Sequence, residues 1–238
     1  MKKQIIVVLA IVCITTINAQ RNKKIKGNGN VVTIERNTED YDGIRIGGFY
    51  EVNLVEGNEG QITLEGEDNI LEYVETEVRG GTLTIKSKDN MNLRATKNVS
   101  ITVPVESINH LRLSGSGKVV GKKTLDMDNL RIRGSGSRNL ELTMDSENLS
   151  ITSSGSSRIN LMGNSDNLDV TTSGSSIINA YELEVEEAKI VLSGSSKVRV
   201  TVNKDIDARV SGSGNIQYKG NPEKINTKTS GSGSVSKN

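Results

Sequence analysis

The stretch LSGSGKVV, Leu113 to Val120, has the composition of a flexible linker, yet its Ser-Gly core returns on a beat. RGSGSRNL, TSSGSSRI, TTSGSSII, VLSGSSKV, RVSGSGNI and KTSGSGSV follow it along the second half of the chain. Aligned on Gly117, Gly136, Gly155, Gly174, Gly194, Gly212 and Gly231, successive phrases lie 19, 19, 19, 20, 18 and 19 residues apart. A serine stands before each of these glycines: Ser116, Ser135, Ser154, Ser173, Ser193, Ser211 and Ser230. A disordered linker has no reason to keep time, so each phrase is read as a structural turn.

The flanks keep the same register. Six positions before the glycines stand Leu111, Leu130, Leu149, Leu168, Ala188, Ile206 and Ile225. Two positions further on come Leu113, Ile132, Ile151, Val170, Ile190, Ala208 and Thr227. Four after the glycines are Leu140, Ile159, Ile178, Val198, Ile216 and Val235, and only the first repeat departs, with Gly121. Apolar residues alternate within each unit, the period of a strand with one buried face. A second turn carries MDN, SEN and SDN, ending in Asn129, Asn148 and Asn167, and asparagine tolerates the left-handed backbone of a tight turn.

One such unit cannot bury its apolar face alone, whereas a stack can. The fold class expected is therefore all-β: a parallel β-helix, or β-solenoid, with coils of about 19 residues. Equivalent residues of neighbouring coils then lie about 4.8 Å apart. The serine column is placed to form a hydrogen-bonded ladder along the turn edge. A surface column is expected to run Arg112, Arg131, Ser150, Asp169, Lys189, Asp207, Asn226.

The composition bounds the core. Among 238 residues are one Phe, no Trp and 24 Gly, so the interior must be built from Val, Ile and Leu. A formal net charge of +1 and few aromatic residues exclude a global attraction to nucleic acid. At the N-terminus, MKK, the apolar run IIVVLAIVCI and the small residue Ala19 have the anatomy of a secretory signal peptide over residues 1–19. The run is too short for a transmembrane segment. Lipidation at Cys13 is the competing reading, but Val12 stands where the motif wants a small residue. Cleavage after Ala19 leaves a chain without cysteine, hence without a disulfide or thiolate chemistry. Export to the periplasm, the outer-membrane surface or the extracellular space is expected, with residues 20–30 a flexible N-terminal segment.

Residues 31–110 read as strands without the strict beat, and 111–238 as seven repeats of one continuous domain. GIRIGGFYEVNLVEG, QITLEG, GGTLTIKS and VSITVP supply alternating runs, and DNILEYVET suits one helical turn. From YDGIRIGGFYEVNLVEG through ITVPVESINHLRLSGSG and its echoes, the chain resembles the family of putative auto-transporter adhesins with a head GIN domain. The resemblance covers nearly everything from Val31 onward. It implies a β-solenoid related in shape to pectin-lyase-like helices, with Gly-Ser-Gly phrases as turns, and an adhesive or cell-surface role. It brings no catalytic residues.

The residues themselves offer little catalytic machinery. The single histidine, His110, alternates with Leu111 and is expected to face solvent without a partner. No phosphate-binding loop is present, since no Gly-rich phrase ends in Gly-Lys-Ser/Thr. No catalytic residue and no cofactor are assigned. Two surface features remain. Asp126, Asp128, Asp145, Glu147 and Asp166, followed by Glu184, Glu186, Glu187 and Asp205, gather at the second turn as an acidic stripe whose oxygens suit Ca²⁺, although a solvated turn row is the simpler reading. Lys118, Arg138, Arg158, Lys197 and Lys219 follow the Ser-Gly turns as a basic row able to contact anionic sugars or an acidic surface, or to blunt sheet edges.

The sequence thus predicts a non-enzymatic, exported binding scaffold for a glycan or a surface protein. A pectin-lyase-like enzyme and a periplasmic sensing module are the alternatives. The last repeat ends at Asn238 with no polar cap, so a weak homo-oligomer through the open coil is expected.

Overall fold

The computed structural model describes residues 23–238; the expected signal peptide and Cys13 lie outside the described residues. In chain order the elements are β1 (Lys23–Lys26), β2 (Val31–Asn37), β3 (Gly43–Ile46), β4 (Glu51–Glu56), β5 (Gln61–Glu67), the single helical turn α1 (Asp68–Leu71), β6 (Val74–Arg79), β7 (Thr82–Ser87), β8 (Met91–Arg94) and β9 (Ser100–Val105). The repeat region contributes β10 (His110–Leu113), β11 (Ser116–Gly134), β12 (Ser137–Ser153), β13 (Arg158–Thr172), β14 (Ile177–Gly194), β15 (Lys197–Gly212), β16 (Asn215–Lys219), β17 (Lys224–Gly231) and β18 (Ser234–Lys237). No helix among the described residues is long and apolar enough to cross a membrane.

The repeats form a parallel β-solenoid. Each long strand runs from one Ser-Gly corner to the next; between corners the alternation breaks at the second turn, where both residues of Asp128-Asn129, Glu147-Asn148 and Asp166-Asn167 are exposed, and register shifts lie at Val120/Thr124, Asn160/Met162, Ala180/Glu184 and Val185/Glu187. Like residues stack. Leu149 pairs with Leu130 and Leu168, Ile151 with Ile132 and Val170, and Ile159 with Leu140 and Ile178. These inward columns are buried and form one continuous core.

At the corner the glycines sit on one another. A Cβ on Gly136, Gly155, Gly174, Gly194, Gly212 or Gly231 would collide with the carbonyl oxygen of the corner glycine one coil below. Gly136 also has φ +100°, but Gly155 has no such backbone requirement and is glycine for the close approach alone. The contact lets the hydrogen-bond ladder continue round the corner: the N–H groups of Ser137, Ser156, Ser175, Ser195 and Ser213 donate to the carbonyls of Gly115, Gly136, Gly155, Gly174 and Gly194 at 2.9–3.1 Å.

The first repeat is set two residues earlier than the alignment expects. Gly115, not Gly117, lies under Gly136, and Leu111 pairs with Ile132 rather than Leu130. Val119 therefore fills the apolar position at which Gly121 stood out, pairing with Leu140. An eighth coil precedes it, out of sequence. β3 pairs with β10 and β4 with β11, so Gly48 is the first corner glycine, directly below Gly115. The intervening residues 57–109 loop back beneath this coil. There β7 and β9 extend the two sheets in parallel, and β2, β5 and β6 add antiparallel strands that finish the stack.

The serine ladder forms, but with other serines. Those before the corner glycines are exposed, and Ser135 and Ser154 reach only the carbonyls of Leu113 and Gly134, at 3.5 Å. The inward ladder comes from Ser157, Ser176 and Ser196, two residues after the corner glycines and buried. Ser176 Oγ approaches Ser153 Oγ at 2.7 Å, accepts from the Ser157 N–H and donates to Gly155 O; Ser196 Oγ donates to Gly174 O.

Of the segment expected to be flexible, the described residues 23–30 are tied down. β1 pairs in parallel with β8, and the residues after it close over α1. The tie is Glu67, with no exposed surface: its carboxylate accepts the N–H groups of Gly29, Thr96 and Lys97 and the Thr96 hydroxyl. These bonds, led by the Thr96 hydroxyl, hold its pKa down at about 2, against an ordinary 4.5. Its contribution is full above pH 4.5 and is lost as pH falls through about 2.

Two predictions follow from these contacts. Gly155→Ala places a methyl group against backbone that cannot retreat without breaking the ladder, and loses about 1–3 kcal/mol or more of stability, read from urea unfolding. Glu67→Gln removes a charge-dependent acceptor, so its stability falls less steeply than the parent's when urea midpoints are followed downward from pH 4.5; parallel acid limbs would contradict this assignment.

Candidate functional site

The solenoid's outer surface is a set of columns, and the register decides which side chains share one. The expected basic row does not survive it. Arg138 is 1% exposed and points inward. It occupies the position of the buried serines, and Gly117 below it lacks a side chain, which opens a passage to the first coil. Its guanidinium donates to Gly48 O (2.7 Å), Ser114 O (2.9 and 3.1 Å) and Tyr50 O (3.4 Å). Burial lowers its pKa to about 10, so it remains a cation at neutral pH. Lys118, Arg158 and Lys197 do share a column, but Asn139 and Ile177 separate them. Lys118 is ion-paired with Glu141 at 3.0 Å. Lys219 lies elsewhere, over the Tyr181 ring at 4.3 Å.

The acidic stripe divides as well. Asp126 and Asp145 stack and are continued by Asn164. Asp128, Glu147 and Asp166 each precede an asparagine of a second ladder, in which Asn148 donates to Asn129 (3.0 Å) and Asn167 to Asn148 (3.1 Å). The buried side chains Met127, Ser146 and Ser165 alternate with the carboxylates and keep the two columns apart. Among the described residues no three Asp, Glu, His or Cys side chains are grouped closely enough to hold a metal ion.

His110 is half-buried rather than free in solvent. Its Nδ1 lies 2.6 Å from Asn109 Oδ1 and its Nε2 3.2 Å from Thr82 Oγ1. Burial and then the Arg112 charge lower its pKa below the ordinary 6.5.

Two surface features remain, both on the outer face of the sheet that leads into the Ser-Gly corner. Toward the C-terminal end a longitudinal groove of about 500 Å³ crosses five coils. Along its floor run the strand positions of Leu149, Leu168, Ala188 and Ile206, whose side chains are buried in the core, and at its end Ile225, 53% exposed. One rim carries Asn148, Asn167, Glu187, Asp205 and Lys224; the other carries Ser150, Asp169, Lys189, Asp207 and Asn226. Toward the N-terminal end Arg45, Arg112 and Arg133 pair in successive strands, with Arg131 beside them in the column headed by His110. The expected surface column had joined Arg112 to Arg131. The two-residue offset of the first repeat moves Arg112 over to Arg133, and Arg45 enters from the out-of-sequence coil.

A model of the family described as putative auto-transporter adhesin, head GIN domain, matches residues 40–222. The chain belongs to that family. Solved structures share its fold. A putative adhesin from Bacteroides fragilis superposes with a TM-score of 0.86 at 22% identity, covering 90% of this chain and 100% of its own. A putative lipid binding protein from Parabacteroides distasonis gives 0.73 at 29% identity, covering 91% and 100%. A putative adhesin from Parabacteroides merdae gives 0.68 at 20%, covering 91% and 99%. No curated protein matches the sequence.

The inward arginine yields its own prediction. Arg138→Met strips charged donors from one buried and two part-buried carbonyl groups and costs about 2–4 kcal/mol in urea unfolding, with Arg138→Lys intermediate because one ammonium cannot span them.

Proposed function

We propose that the protein is an exported, non-catalytic adhesin-like scaffold that seats an extended ligand, a glycan or a polypeptide, along its longitudinal groove. The observation that carries this reading is the groove's uniformity. Five coils repeat two parallel rims rich in amides, hydroxyls and carboxylates, one strand position apart on either side of the buried Leu149–Ile206 column. A repeating lattice of that kind suits a ligand that itself repeats, and solenoids use such elongated faces for binding. Family membership supports the adhesive role. Ile225, exposed at the groove's C-terminal end, with the likeness to a putative lipid binding protein from Parabacteroides distasonis, favours a second reading in which an acyl chain lies there.

The deciding experiment is a glycan array run beside a polysaccharide-degradation assay and a fatty-acid binding assay. Binding of a glycan without release of products, weakened about tenfold by Asp169→Ala/Lys189→Ala on the exposed rim, is expected. Product formation abolished by Lys189→Ala would make the protein a pectin-lyase-like enzyme. Fatty-acid binding alone would replace the glycan reading with the acyl one.

A further inference from the structure

The arginines at the N-terminal end of the same sheet form a second site. Arg45, Arg112 and Arg133 occupy one column over three successive strands, at a spacing of about 4.8 Å. All three, and Arg131 beside them, are exposed. Among the described residues none of the four forms an ion pair, whereas Arg209, further along the column, is held by Asp207 at 2.9 Å. Like charges directly opposite one another in neighbouring strands destabilise a sheet. A stack of three, with a fourth alongside, is a local expense that the fold does not need. In the next coils the same positions are filled by Ser150, Thr152 and Thr171, which pair without repulsion, and like charges meet again in the arginine column only where Arg209 pairs with Lys228.

The surroundings give the cluster a shape. A shallow trough of about 350 Å³ follows the column, with Arg45, Arg112, Arg133 and Thr152 on one bank. Ser114, Ser135 and Ser154, the exposed serines of the corner, form the other bank. The repeat thus supplies a row of hydroxyls facing a row of guanidinium groups, both parallel to the solenoid axis. A smaller notch of about 110 Å³ opens between the two arginine columns, bordered by Asn109, His110, Arg112, Arg131 and Arg133. It has room for a single oxyanion.

We propose that this trough binds an anionic polysaccharide, a sugar chain bearing carboxylate or sulfate groups, laid along the axis. The guanidinium fork matches either anion with two parallel hydrogen bonds, and the facing serines suit sugar hydroxyls. No aromatic side chain lines the trough, so stacked bases find no platform there. No large exposed apolar side chain lies in it either, which leaves a bilayer nothing to take up. The inference rests on the adhesin-like reading but concerns a different surface, so the two can fail separately.

The test measures binding of the purified protein to polygalacturonate and heparin by calorimetry over a range of salt. Dextran serves as the neutral control, and phosphatidylglycerol vesicles and single-stranded DNA as rival polyanions. Polygalacturonate or heparin is expected to bind with an affinity that falls with salt, and dextran not to bind. Arg112→Gln/Arg133→Gln should weaken that binding about tenfold or more and flatten the salt dependence, while Arg209→Gln leaves both unchanged. The resonances of the single histidine, His110, should move when the polysaccharide is added, which a purely structural role for the arginines would not cause. Absence of polyanion binding, binding indifferent to the double substitution, or vesicles or DNA bound as tightly as the polysaccharide would overturn the proposal. Loss of binding on Asp169→Ala/Lys189→Ala but not on Arg112→Gln/Arg133→Gln would sink this site and leave the groove standing.

Discussion

At every Ser-Gly corner the backbone of one coil lies against that of the next with no room for a side chain between them. The carbonyl of each corner glycine receives an N–H from the following coil, which it can do only because the glycine above carries no Cβ. This contact sets the register. Once Gly136 sits on Gly115 and Gly155 on Gly136, every residue between the corners is assigned a neighbour about 4.8 Å away. Register shifts fall between the corners rather than at the glycines. Coils of unequal length are accommodated at these shifts while the corner glycines keep their stacking.

From that column the remainder of the interior follows by alternation. Aliphatic side chains stack on aliphatic ones, and the chain forms a filled core with one phenylalanine and no tryptophan. Polar groups enter the interior of the repeats at the second turn, where Ser146 donates to Ser165, and next to the corner, where backbone carbonyls need donors. Serine hydroxyls meet that need in the middle coils. Arg138 meets it where the regular repeats join the out-of-sequence coil, reaching past Gly117 to carbonyls that no serine could touch. One inward position thus holds Tyr50, Gly117, Arg138 and Ser157 in successive coils, each answering to its neighbour below.

The period, the alternation and the corner were legible in the sequence because they recur at nearly constant spacing. What recurs only once was not. Gly48 and Arg45 stack on the repeats from 67 residues upstream, and no periodicity links GIRIGG to HLRLSG except their likeness. The first repeat contains two Ser-Gly steps, and aligning on the second of them, Gly117, displaced its flank by two residues. A shift of two keeps the inward and outward faces of a strand, so the core pattern survived the error. The surface columns did not, and Arg112 was paired with Arg131 instead of Arg133. Arg138 illustrates a different limit. It follows its glycine by two, a position where the surrounding repeats place small polar residues, and only the space left by Gly117 turns it inward.

A parallel register also changes what charge means for this chain. A formal net charge of +1 gives no long-range field, but stacking converts a single choice of residue into a line of like charge. Arginines collect at one end of the sheet and carboxylates along the second turns. In an antiparallel or helical fold such residues would be dispersed among neighbours of opposite sign, and their repulsion averaged away. Here repulsion between coils adds at each step, opposed by corner hydrogen bonds that do not depend on charge. The corner ladder therefore does more than hold the coils together. It supplies the cohesion that lets a column of arginines stand unpaired at the surface, where a counter-charge brought by a ligand gains attraction from several rungs at once.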